Sequence, residues 1–116
     1  MLFLCYPKCT TCQKAKAYLE ANGISYDLRD IKQVNPTAEE LTKWWKASGL
    51  PLKKFFNTSG LQYKALNLKE KLPEMSEEEQ IALLASDGML VKRPLLVVEE
   101  RVLVGFRQAE WDEVLK

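Results

Sequence analysis

Leu2-Phe3-Leu4-Cys5-Tyr6-Pro7-Lys8-Cys9-Thr10-Thr11-Cys12-Gln13-Lys14-Ala15-Lys16-Ala17 is the stretch whose reading decides the fold. Its first residues, Leu2–Tyr6, are apolar on both faces, as a central strand buried between two layers is. Pro7-Lys8 turns the chain, and a helix is predicted over Thr10–Asn22. Cys12, Ala15, Leu19 and Asn22 recur on one face of it, and Gly23 is its stop. Cys9 and Cys12 therefore form a Cys-x-x-Cys pair at a strand-to-helix junction, which reads as a redox site.

Outward from that stretch, Ile24–Asp30 alternates Ile24, Tyr26 and Leu28 against Ser25, Asp27 and Arg29, the pattern of a half-buried strand. Strand, helix and strand in so short a span predict a right-handed βαβ unit with parallel strands. Asn35-Pro36 breaks the chain. Thr37…Glu40 and Ser76…Glu79 are capping boxes, each opening a helix. The first helix runs to about Ser48, with Leu41, Trp44, Trp45 and Ser48 on one face, and only one of the two tryptophans can face fully inward. The second runs to about Ser86 and buries Ile81, Leu84 and Ala85. Between them Pro51–Leu72 carries short helical turns, and the Phe55-Phe56 pair must dock somewhere. Leu95–Val98 and Arg101–Val104 read as an antiparallel hairpin about Glu99-Glu100. Gln108–Leu115 is a closing helix with Ala109, Trp111, Val114 and Leu115 as its apolar residues.

The order βαβ, helical middle, ββα predicts one α/β domain over 1–116. It is a thioredoxin/glutaredoxin-like four-stranded mixed sheet built from 1–34 and 89–116, with a helical subdomain, 35–88, inserted between its halves. Pro94 falls where such folds place a proline beside the active thiol.

Composition bounds the function. The chain has 116 residues, 47% hydrophobic and 28% charged, with a formal net charge of +1. One ordinary globular core is expected. A protein that binds nucleic acid directly by neutralising phosphates is usually far more basic. No apolar run approaches the ~20 residues of a membrane span. The start shows neither a charged leader nor a small-residue cleavage site, so a cytoplasmic location is expected. Cysteines there serve catalysis, redox sensing or metal binding more often than structural cross-linking. Histidine is absent, which removes Ser/His and Cys/His nucleophile–base pairs and the commonest nitrogen ligand for zinc.

The chemistry of the pair follows from its place. Cys9 stands at the first helical residue or just before it, where unsatisfied N–H groups and the helix dipole favour an anion. Lys8, Lys14 and Lys16 add positive charge. Both effects lower the thiol pKa and make Cys9 the nucleophile. Cys12, almost one turn on, is placed to resolve a mixed disulfide or sulfenate on Cys9. Two other readings stand beside this one. Cys-x-x-Cys is also half of a zinc site, although only Cys5 remains as a further thiol ligand. Free cysteines are also common inert core residues, and Cys5 inside its apolar strand is read that way. Arg93, ahead of Pro94 and a buried strand, falls at the same end of the sheet as Cys9. It can bind an oxyanion there or pair with an acidic neighbour. Arg107, just past Gly105-Phe106, can converge on the same site or stand solvated.

The runs Tyr6-Pro7-Lys8-Cys9-Thr10-Thr11-Cys12, Val91-Lys92-Arg93-Pro94-Leu95 and Val104-Gly105-Phe106 together resemble the ArsC family of glutaredoxin-coupled arsenate reductases and the related Spx/MgsR regulators of RNA polymerase. The resemblance spans the whole chain. It implies Cys9 as the attacking cysteine, Arg93 and Arg107 as oxyanion-holding arginines, and Pro94 as the family's cis-proline. The substrate it implies is a small oxyanion or a disulfide. No bound cofactor is implied; glutathione/glutaredoxin or thioredoxin would be the electron donor. Gln13 and Asn57 stand where the reductases carry further arginines, which implies a weakened grip on a tetrahedral oxyanion. Cys12, where the reductases have serine, resembles the Spx branch. In that branch Cys9–Cys12 would be a redox-active disulfide switch. The partner would be the C-terminal domain of the RNA polymerase α subunit.

Overall fold

Strand β1 (Leu2–Cys5) pairs in parallel with β2 (Asp27–Asp30) on one side and antiparallel with β3 (Leu95–Val98) on the other. Strand β4 (Arg101–Val104) completes a four-stranded mixed sheet of order β2-β1-β3-β4. The structure, a computed structural model, describes residues 1–116. The parallel pair is joined by helix α1 (Thr10–Ala21), which gives the expected βαβ unit, and helix α6 (Gln108–Leu115) follows β4. Between β2 and β3 come α2 (Ala38–Ser48), the short helices α3 (Leu61–Ala65) and α4 (Leu68–Lys71), α5 (Glu77–Ser86), and three 3-10 turns. No helix is long and apolar enough to cross a membrane.

The sheet divides two cores. Residues of a strand alternate between faces, and here both faces are covered. Phe3, Cys5, Leu96 and Leu103 point to the layer of α1 and α6, where they pack with Cys12, Ala15, Leu19 and Trp111. Leu4, Leu95 and Val102 point to the inserted helices and pack with Leu41, Trp44 and Leu84. The Phe55-Phe56 pair docks in this second core, fully buried. The two-faced apolar character of Leu2–Cys5 is thus the mark of the central position it takes.

Both capping boxes form. The Thr37 and Ser76 hydroxyls accept from the Glu40 and Glu79 N–H groups, and each glutamate accepts from its cap's own N–H. Trp44 is buried, and Trp45 is half-buried with its indole N–H donating to the Leu50 carbonyl at 2.9 Å. In α1 the buried face is Cys12, Ala15, Tyr18 and Leu19. Tyr18 joins the expected stripe because its hydroxyl donates to Asp112 of α6, so the ring is drawn between the two helices. Asn22 caps the helix instead of extending it.

The second strand is shorter than its alternation predicts, Asp27–Asp30 instead of Ile24–Asp30. Leu28, expected inward, is 56% exposed. β2 is an edge strand, and its outer portion has no layer above it to bury Leu28. Gly88 marks where the insertion meets the sheet: a Cβ built there would lie 1.9 Å from the Ile31 carbonyl oxygen. Only glycine admits that approach.

Candidate active site

The dithiol lies where β1 hands over to α1. Cys9 is the N-cap, in extended conformation, and its N–H donates to the Tyr6 carbonyl at 2.9 Å. Gln13 N–H returns to the Cys9 carbonyl at 3.0 Å as the helix begins. The Tyr6 N–H donates to the Cys12 sulfur at 3.3 Å. The loop Tyr6–Cys9 is thereby pinned at both ends, and the two thiols are oriented by backbone. All three cysteines are free thiols.

The two thiols differ sharply. Cys9 is half-buried and Cys12 is 1% exposed. Burial works against the Cys9 thiolate, but the backbone N–H and thiol of Cys12 outweigh it together with the Arg93 guanidinium. The Cys9 thiol is held below its ordinary value. No hydrogen bond closes on the Cys9 sulfur from the helix as an ordinary side-chain cap. Burial pushes the Cys12 thiol up to about 12, the Tyr6 N–H opposing it and the Cys9 charge adding to it. Burial also raises Cys5, which sits on the same face of β1 as the dithiol core. One thiol is thus accessible and disposed to ionise. The second is protonated and held one helical turn behind it.

Arg93 comes to this site from across the sheet. It precedes Pro94 through a cis peptide bond, and the segment is clamped on both flanks. Lys92 N–H donates to the Phe55 carbonyl at 2.7 Å, and Gly105 N–H donates to the Pro94 carbonyl at 2.8 Å. Gly105 holds φ +77° there, a left-handed conformation that favours glycine. The guanidinium lies 5.3 Å from the Tyr6 ring centroid, and Nη1 reaches the Met89 carbonyl at a long 3.5 Å. Nε is buried with no hydrogen-bond partner. An orphaned buried donor of a charged group is costly, and the guanidinium it belongs to is one that favours the Cys9 thiolate.

Arg107 takes a different place. It is exposed at the N-cap of α6 and is absent from the groups that perturb Cys9. It lines a groove of 740 Å³ that runs from Thr11 in the first turn of α1, past Lys92, Gly105 and Phe106, to the inserted segment. The structure thus brings Cys9, Cys12 and Arg93 together, with Pro94 next to Arg93 through the cis bond, and sets Arg107 on the wall of the groove. Gln13 spends its amide on the Pro7 carbonyl at 3.0 Å. Asn57 is tied into its own turn, with Ser59 donating to its side-chain oxygen at 3.3 Å. Neither adds positive charge. No three of the cysteines and carboxylates come together as a ligand set for a metal.

Sequence reasoning missed Tyr6. Its ring carries Arg93, and Lys32 lies 5.9 Å from its centroid. A lone tyrosine at the end of an apolar strand signals nothing by itself, and both cations come from distant segments.

Sheet order, inserted helices and dithiol define a thioredoxin-like α/β protein with its thiols at the first strand–helix junction. The ArsC family model matches residues 4–114, and the chain belongs to that family. A solved ArsC family related protein from Bacteroides fragilis is 62% identical, superposes with a TM-score of 0.95, and is matched over 97% of this chain and 95% of its own. The uncharacterized protein YusI of Bacillus subtilis is 54% identical over 97% of this chain and 96% of its own. The regulatory protein MgsR of the same organism is 31% identical over 95% and 86%.

Proposed function

We propose that this protein is a dithiol oxidoreductase that reduces disulfides, with Cys9 as the nucleophile and Cys12 as the resolving thiol. The observation that carries the reading is the split between the two thiols, Cys9 lowered and half-buried, Cys12 raised and buried. The Cys9 thiolate attacks one sulfur of a substrate disulfide. The Cys9–substrate bond forms, the substrate S–S bond breaks, and the departing thiolate takes a proton from water. Cys12 then gives up its proton and attacks the Cys9 sulfur, forming the Cys9–Cys12 disulfide and releasing the second substrate thiol. Two electrons pass from the dithiol to the substrate. A thiol or dithiol donor of the cytoplasm, such as glutathione/glutaredoxin or thioredoxin, restores the reduced pair.

A disulfide fits better than an oxyanion. Arg93 is the one arginine among the groups that act on Cys9, while Gln13 and Asn57 bring no charge. A tetrahedral oxyanion such as arsenate needs several charge-assisted donors. The test uses hydroxyethyl disulfide with a coupled thiol donor. Cys9→Ser abolishes turnover, and Cys12→Ser accumulates a mixed disulfide detectable by mass. Turnover retained in Cys9→Ser sinks the reading.

The likeness to MgsR over nearly the whole chain favours a second reading. Here Cys9–Cys12 oxidation switches binding to the C-terminal domain of the RNA polymerase α subunit. A pull-down on that domain with reduced and oxidised protein decides it, and absence of binding in both states removes it.

A further inference from the structure

The groove beside the dithiol gathers charge out of proportion to the molecule. Lys53, Lys54, Lys69, Lys92 and Arg107 line it against a single acid, Glu110. The whole chain has 17 basic and 16 acidic residues, so 12 basic face 15 acidic elsewhere. The two ion pairs of the molecule, Arg29–Glu40 and Lys116–Asp112, lie outside the groove. None of the five cations is neutralised by a neighbour. They come from the turn before Phe55, helix α4, the approach to Pro94 and the start of α6. One cation cluster is thus assembled from four parts of the fold.

We propose that this groove is a docking cleft for an acidic, extended polypeptide segment carrying a reducible disulfide. The substrate of Cys9 is then a protein disulfide in acidic surroundings. This rests on the disulfide-reductase reading above and specifies its substrate. Three features select a peptide. The cations are spread along a groove of 740 Å³, where a small anion would engage only one or two of them, while extended chain advances about 3.4 Å per residue. The apolar side chains of Leu50 and Phe106, neither of them buried, share that lining and suit side chains interleaved with carboxylates. Thr11, two residues from Cys9 in the chain, is among the lining residues, so an occupant long enough to span the cations extends toward the dithiol. A segment held there lays its disulfide against the accessible thiol.

The experiment is single-turnover oxidation of the reduced protein. The oxidants are three disulfide-bridged peptides of equal length, flanked by glutamates, glutamines or lysines. Dithiodipropionate serves as a small diacid disulfide and hydroxyethyl disulfide as a neutral reference. At low ionic strength the glutamate peptide reacts about tenfold or more faster than the lysine peptide, the scale of electrostatic steering. The preference collapses in 0.5 M salt, where screening is short-ranged. Lys53→Glu/Lys54→Glu/Lys69→Glu, all exposed positions, inverts the order of acidic and basic peptides. Equal rates for the three peptides, alongside reaction with hydroxyethyl disulfide, overturn the cleft and leave the reductase reading standing. A preference as large for dithiodipropionate as for the glutamate peptide overturns the polypeptide assignment. Failure of every disulfide, the neutral reference included, overturns both readings.

Discussion

The guanidinium of Arg93 rests 5.3 Å from the centroid of the Tyr6 ring, while the backbone N–H of Tyr6 donates to the sulfur of Cys12. One residue thus touches both controls on the dithiol, the cation beside Cys9 through its ring and the second thiol through its backbone. A cation over an aromatic face gains about 0.5–2 kcal/mol, more as it is desolvated. Tyr6→Leu is expected to loosen Arg93 and move the pH inflection of Cys9 alkylation upward, while Tyr6→Phe keeps it. Iodoacetamide rates measured against pH for the three proteins check this. An unmoved inflection in Tyr6→Leu shows that the ring does not position the arginine.

Arg93→Met removes a charge that favours the Cys9 thiolate. The alkylation inflection rises toward that of free cysteine, about 8.5, and the proposed disulfide reduction slows near neutral pH in proportion to the lost thiolate. Circular dichroism of the variant separates this effect from unfolding.

Cys12, pushed up to about 12 by burial, stays unmodified when native protein is alkylated at pH 8. Cys5, buried and also raised, does the same. Mass spectrometry is expected to find one adduct on the native chain and three after unfolding in guanidinium. Two or more rapid adducts on the native chain contradict the division between the thiols.

Arg29 ties the edge strand β2 to the capping box of α2 through a two-pronged contact with Glu40, at 2.8 and 3.0 Å. Hydrogen bonds from Arg29 hold the Glu40 carboxyl below its usual range, with burial opposing and the Thr37 N–H assisting. A carboxyl depressed in the folded state stabilises above its unfolded pKa, and that contribution is lost as pH falls through the folded value. Stability is therefore expected to decline on acidification below about pH 4.3, the unfolded glutamate value. Arg29→Ala flattens that part of the profile and costs about 1–2 kcal/mol at pH 7, toward the lower end for a charged hydrogen bond because the pair is partly solvated. Urea unfolding at a series of pH values reads both.

Gly88→Ala places a methyl against the Ile31 carbonyl oxygen, 1.9 Å away before any relaxation. Backbone must move on one side. The loss is expected to exceed about 2 kcal/mol, the range of overpacked cores, and a midpoint shift in thermal unfolding measures it.

The dithiol and the sheet were legible in the sequence because local pattern and tertiary role coincide there. Leu2–Cys5 is apolar on both sides, and the structure buries it between two layers. Thr37…Glu40 and Ser76…Glu79 carry their capping chemistry within four residues, so nothing distant can override it. Leu28 misled because alternation marks a face without saying whether anything covers it. The shared position of Arg107 and Thr11 on one groove was out of reach, since it depends on how α1, the insertion and α6 meet. The same holds for the cation cluster, whose members look like ordinary solvated lysines when read singly.

The division of the interior by the sheet has a consequence for how such a chain diversifies. The thiols, Trp111 and the α1–α6 layer lie on one side, and the inserted helices pack on the other. Substitutions that reshape the inserted layer can alter what the molecule recognises while Cys9 and Cys12 keep their immediate packing. The packing around the two thiols and the surface of the inserted layer are thereby separable under selection, each able to change without disturbing the other.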